Sequence, residues 1–173
     1  MTVEAVEATL PALSFRMNMR IQAERRRTDP SVPPLNMALH EKVLTHILAH
    51  PEEHRQGAWA VKDACGTAFC YAGHAVNMTM TDRDEFYWTS AFRRPDRGGQ
   101  SSAESYFDAQ QGRVLDISNS AMRQLGLTGY EGSLMFESSR TIDDLQWAYQ
   151  LLADAEHYRL SKQETQQEQE VSE

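Results

Sequence analysis

From Ser14 to Glu24 apolar and polar residues alternate: Phe15, Met17, Met19, Ile21 and Ala23 are interleaved with Ser14, Arg16, Asn18, Arg20, Gln22 and Glu24. Successive strand side chains point to opposite faces, so a strict period of two predicts a strand with one buried face. Phe86-Tyr87-Trp88-Thr89 and Arg113-Val114-Leu115 are its candidate partners in a small accessory sheet. Residues 1 to 13 show no clear period and are expected to lie loosely on the surface. Pro30, Pro33 and Pro34 then separate this arm from the body.

Beyond the prolines the period becomes helical. Asn36 can cap a helix running to about His50, with Leu39, Val43, Leu44, Ile47 and Leu48 on one face and Pro51 ending it. Trp59 is expected to cover the core. Thr67 is a good N-cap, and Ala68 to Met80 carries Phe69, Ala72, Gly73, Val76 and Met80 at helical spacing. Two very small residues at the centre of that stripe let a neighbouring backbone come close, and the helix of residues 36 to 50 is the expected neighbour. Later, Ser118 or Asn119 can cap a short helix ending at Leu125, with Gly126 just past its end. Thr128 to Glu131 is a T-x-x-E capping box opening a helix through Phe136. Thr141 can cap a third, whose face is Ile142, Leu145, Tyr149, Leu152 and Ala155.

Two stretches resist this reading. Residues 81 to 112 form an irregular excursion in which Phe86, Tyr87, Trp88 and Phe92 are either a contact surface or a lid over the core. Residues 161 to 173 are Gln, Glu, Lys, Ser and Thr with almost nothing to bury, which predicts a disordered acidic tail. The expected fold is mainly α: a single compact domain (35–160) of four to five short helices around a central helix. A minor β element, an N-terminal arm (1–34) and the tail complete it.

Composition narrows the class. A chain of 173 residues, 40% hydrophobic and 24% charged, is large enough to bury a core without staples. No apolar run approaches the roughly 20 residues a membrane helix needs. Met1 to Leu10 carries Glu4 and Glu7 and no basic region, so no signal peptide is expected there. Two cysteines without such a signal point to a reducing, cytoplasmic setting. Of the net charge of −8, −6 falls between Thr141 and Glu173, where eight acids face Arg159 and Lys162. The basic cluster Arg25-Arg26-Arg27, beside Glu24 and Asp29, reads as a solvated turn rather than a phosphate clamp, so nucleic acid is not the expected partner.

Candidate chemistry gathers between Cys65 and His74, which holds both cysteines, two glycines and one histidine. Cys65, Cys70 and His74 are ligand types that zinc prefers, and a fourth ligand would come from His50 or His54. His40, His46, His50 and His54 crowd the preceding helix and its end, and His46 and His50 stand one turn apart. Structural zinc sites, however, usually pair ligands two residues apart. Cys70 near a helix N-terminus could be a nucleophile, with His157 the one downstream candidate for a base. A Cys65–Cys70 redox pair is poorly spaced. Against all three, a structural account explains every residue: Cys65 and Cys70 as small hydrophobes, Gly66 as a turn, Thr67 as a cap and Gly73 as a point of close packing. No metal or cofactor is therefore expected.

The segment Cys-Gly-Thr-x-x-Cys-x-Ala-Gly-His (Cys65 to His74) also resembles a pattern of small bacterial and phage proteins. The likeness extends to Leu44, Ile47, His50 and Pro51 before it. After it come Leu125 to Thr128, Leu134 and Phe136, and Thr141 with Leu145. In that pattern Trp can stand where this chain has His74. The resemblance spans roughly residues 36 to 155 and brings no activity with it. No carboxylate pair, phosphate loop, basic groove or triad spacing stands out, and the aromatic excursion and acidic tail suit partner contact, so the expected function is that of a non-catalytic accessory protein, of a phage or mobile element, that binds a host protein. The alternative is a thiol- or metal-dependent protein using Cys65, Cys70 and His74.

Overall fold

A computed structural model of the chain describes residues 3–63, 66–90 and 101–171. It is mainly α with a minor β part, and the first element already departs from the alternating pattern. Val3–Thr28 is a helix, α1, not a strand. Phe15, Met19 and Ala23 are buried, four residues apart, while Leu13, Met17 and Ile21 are exposed. Two apolar series with a step of four, offset by two, add up to a period of two. The partner of α1 is the long helix α6 (Ile142–Val171). Phe15 meets Trp147 at 6.0 Å between ring centres, and further along both helices Arg26 meets Glu156, so the two run parallel.

Arg26 is fully buried, and the solvated turn expected around it is corrected accordingly. All five of its N–H groups are used. Two donate to Glu131 in a fork, at 3.2 and 2.7 Å, and the others reach Glu156 (3.4 Å), the Pro33 carbonyl (2.7 Å) and the Gly126 carbonyl (2.9 Å). Glu131 also accepts from the Thr128 backbone N–H, closing the predicted capping box of α5 (Gly129–Met135). Arg159 holds the other side of Glu156, whose carboxyl lies below its usual range: burial pushes it up, and the pull of Arg159 and Arg26 outweighs that. One guanidinium thus joins α1, the proline segment, α5, α6 and the end of α4 (Ile117–Leu125).

The helix α2 (Met37–Ala49) forms as its spacing predicts, with the Asn36 side chain accepting from the Leu39 N–H. A 3-10 turn, Pro51–Glu53, follows. The expected helix from Thr67 to Met80 is replaced by two elements. Gly66–Phe69 is a strand, β2, antiparallel to β1 (Ala60–Asp63), and the helix α3 covers only Tyr71–Thr79. Its cap is Cys70, whose sulfur accepts from the Gly73 N–H at 3.4 Å. Pairing with β1 outweighs the local preference of Thr67 for a cap.

The excursion is ordered in its described parts. β4 (Thr89–Ser90) and β5 (Ser101–Ala103) extend the first sheet, in the order β2-β1-β5-β4. β3 (Glu85–Phe86), β6 (Ser105–Asp108) and β7 (Arg113–Asp116) make a second antiparallel sheet, in the order β3-β6-β7. The segments foreseen as partners of an N-terminal strand therefore flank β6 instead. Asp116, not Ser118 or Asn119, caps α4, and Gly126 past its end takes the left-handed conformation (φ +70°). Thr141 caps α6 by accepting from the Asp144 N–H. Residues 161–171, foreseen as disordered, continue α6, and the side chains of 161–168 are all exposed.

Candidate functional site

Three histidines with buried ring nitrogens receive two treatments. His40, on α2, is fully buried and satisfied: Nε2 donates to the Leu125 carbonyl (3.2 Å), so Nδ1 accepts from the Tyr71 hydroxyl (2.7 Å). Burial holds this imidazole down at about 3, with the Leu125 carbonyl drawing it up and the Arg26 charge pressing it further down. Its ring stacks on Tyr149, 5.2 Å away.

His54 and His74 are different. Among the described residues neither ring nitrogen of either side chain has a hydrogen-bond partner, although all four are buried. The local fold explains how they meet. His54 is bridged to Phe69 at the end of β2, and the Arg55 N–H donates to the Phe69 carbonyl (2.8 Å). His74 lies in the first turn of α3, its N–H donating to the Cys70 carbonyl. The two rings stack with centres 5.7 Å apart, and Phe69 closes the apolar side at 5.4 Å. Burial holds His74 down at about 3, helped by His54 and His46; the Glu53 carbonyl draws the other way from outside hydrogen-bonding geometry. Burial likewise lowers His54.

The cluster opens outward through α2 and the 3-10 turn. The His46 ring lies 5.2 Å from His74 and 4.9 Å from His50, and its Nε2 is 3.0 Å from a Glu53 carboxylate oxygen. His50, Glu52 and Glu53 place three potential ligand atoms within 4.8 Å of one another. His46 is half-buried and His50 exposed, so the group grades from a sealed floor to a wet rim.

The cysteines fare otherwise. Cys70 is buried, and burial pushes its thiol up to about 11, against the help of the Gly73 N–H. A thiol so far above neutrality that serves as a cap is a poor nucleophile. His157, its supposed base, is exposed on α6. Cys65 lies outside the described residues. Gly66 opens β2 with φ +136°, and Thr67 is a strand residue. Gly73 does mark a close approach, but to the backbone before β1 and not to α2: a Cβ there would lie 1.8 Å from the Trp59 carbonyl oxygen.

The aromatic stretch divides as well. Phe86 is buried against Phe69, Tyr106 and Trp88, and Trp88 packs partly against the core. Tyr87 between them is 51% exposed, its backbone held by an N–H bond to the Ser105 carbonyl (3.0 Å). Arg83, Glu85, Phe86, Tyr87, Trp88 and Phe107 line a groove of about 460 Å³. Phe92 lies outside the described residues. No helix among the described residues is long and apolar enough to cross a membrane. Sequence reasoning named every histidine of the cluster but tied His74 to the cysteines; the missing link was Glu53, a turn residue with no pattern to mark it.

Comparison with protein-family models, with curated proteins and with solved structures found no match.

Proposed function

We propose that this chain is a non-catalytic accessory protein that binds another protein through the groove beside β3, acting in the cytoplasm. The observation that carries the reading is Tyr87. An aromatic side chain is held out toward solvent by a backbone whose two neighbours, Phe86 and Trp88, are tied into the core. A rigid aromatic anchor gives contact area at low entropic cost, and aromatic residues are enriched at the centres of protein interfaces. Arg83 and Glu85 flank it with one charge of each sign, which suits a mixed polar and apolar protein surface rather than nucleic acid. The likeness of Cys65 to His74 to small bacterial and phage proteins favours a phage or mobile-element factor acting on a host protein.

The test is site-specific photo-crosslinking in the host cell. A crosslinker at position 87 should give one discrete protein adduct, which a crosslinker at exposed Gln150 does not. Trp88→Ala should weaken that adduct while the far-ultraviolet spectrum stays unchanged. Equal adducts from both positions, or none from 87, would overturn the reading. The alternative, a thiol- or metal-dependent protein using Cys65, Cys70 and His74, keeps support at His74 alone, because Cys70 serves as a helix cap.

A further inference from the structure

A buried neutral imidazole must put one N–H somewhere, and the other nitrogen offers a lone pair. Leaving such groups unpaired forfeits hydrogen bonds that water supplies in the unfolded chain. His74, only 1% exposed, has neither nitrogen paired among the described residues. It is not an isolated oddity, because the His46 ring faces it at 5.2 Å and the His50 ring faces His46 at 4.9 Å. Two imidazoles bound to one tetrahedral ion through N bonds of 2.0–2.1 Å have their ring centres roughly 5 Å apart. Both ring spacings fall at that value, while the ligand atoms that already lie within 4.8 Å of one another are those of His50, Glu52 and Glu53. The His46–Glu53 distance of 3.0 Å is likewise close to the roughly 3.3 Å between two ligand atoms on such an ion.

We propose that His46, His50, Glu53 and His74 bind one divalent transition-metal ion of the zinc class, through three imidazole nitrogens and one carboxylate oxygen. Three imidazoles select an ion of intermediate softness over calcium or magnesium, which take oxygen ligands. His74 is the fixed member, seated by α3 and Phe69. His50 and Glu53 are solvent-accessible and can swing to complete the shell, with Glu52 beside them on the same rim. His54 stacks on His74 from the far side and orients it. The ion ties the C-terminal end of α2 to the first turn of α3. Cys70 takes no part, since its sulfur is already engaged as the cap.

The full chain, stripped with a chelator, is titrated with zinc chloride by calorimetry and with cobalt chloride by visible absorption. The expected result is one ion per chain, a tetrahedral cobalt spectrum without thiolate charge-transfer bands, and a higher melting temperature with zinc but not with calcium chloride. His46→Asn should abolish binding, Glu53→Gln should weaken it at least about tenfold, and Cys70→Ala should leave it unchanged. His74→Phe, which fills the same apolar seat, should fold and lose the ion. Should His74→Phe fail to fold, the cobalt-shifted imidazole N–H resonances of the wild type decide: three support the site and two overturn it. Affinity weaker than millimolar would overturn it as well. So would binding that survives His74→Phe but not His50→Ala, the mark of a surface histidine pair alone.

Discussion

Arg26 and His74 are both polar side chains sealed from water, and the fold handles them in opposite ways. Around Arg26 every donor finds an acceptor, and the acceptors come from four parts of the chain. Around His74 the neighbours are imidazoles, each with the same need to donate or accept a hydrogen bond, and among the described residues its nitrogens stay unpaired. A fully paired polar centre fixes geometry and asks for nothing further. One left open at comparable burial carries a standing cost that a ligand can remove. The difference separates the part of this molecule that holds its shape from the part shaped to receive something.

Removing one side of the paired centre should have the largest effect. Arg26→Met leaves the Glu131 and Glu156 carboxylates buried without their common partner, and breaking a buried pair in this way costs about 3–5 kcal/mol. Urea unfolding should show the midpoint falling accordingly. A midpoint shift of a few tenths of a molar would mean that Arg159 and the Thr128 N–H suffice to hold the acids.

Acid should act through the other satisfied group, His40, by an amount graded with pH. Unfolded, this imidazole titrates near 6.5, and folded at about 3, so between those values the unfolded chain binds the extra proton. Its contribution to stability is complete above about pH 6.5 and is lost as the pH falls toward 3, at no more than about 1.4 kcal/mol per pH unit. The groups facing it are the Tyr71 hydroxyl, the Leu125 carbonyl, Arg26, and Tyr149, whose hydroxyl donates to Glu41; none is an acid in direct contact that would favour the charged ring. His40→Gln should therefore flatten the stability profile between pH 6.5 and 3 relative to wild type. Superimposable profiles would exclude His40 as a source of acid sensitivity.

The floor of the open centre offers the smallest test. Gly73→Ala drives a methyl into the Trp59 carbonyl oxygen and should cost about 1–3 kcal/mol, as overpacking does. Gly73→Leu should be worse, and thermal melts rank the two. A stabilised alanine variant would show that β1 and α3 can part without penalty.

Local signals were legible wherever the chain supplied its own partner. Asn36, the Thr128–Glu131 box, Thr141 and Gly126 all act at helix ends where the spacing puts them, because a cap is satisfied within a few residues. What could not be read depended on distant segments. Thr67 is the better cap by type, yet β1 claims it for a strand and leaves the cap to the sulfur of Cys70. In α1 the exposed Leu13, Met17 and Ile21 hid the four-residue step of Phe15, Met19 and Ala23, while buried Arg26 looked like surface charge. The metal-ligand types between residues 46 and 74 were visible. Their grouping was not, since His74 meets His46 and His54 only after the turn at Pro51 and the β1–β2 hairpin have folded.

The reach of Arg26 also sets a timetable. Its carboxylate partners lie 105 and 130 residues further along the chain. At translation rates of roughly 5–20 residues per second, α1 leaves the ribosome about ten seconds before α6 can answer it. Until then Phe15, Met19 and Ala23 lack the helix that covers them, with Leu13, Met17 and Ile21 on the opposite side of α1. Helix α1 is thus made long before the helix it packs against, and in that interval its apolar residues are open to non-native contacts.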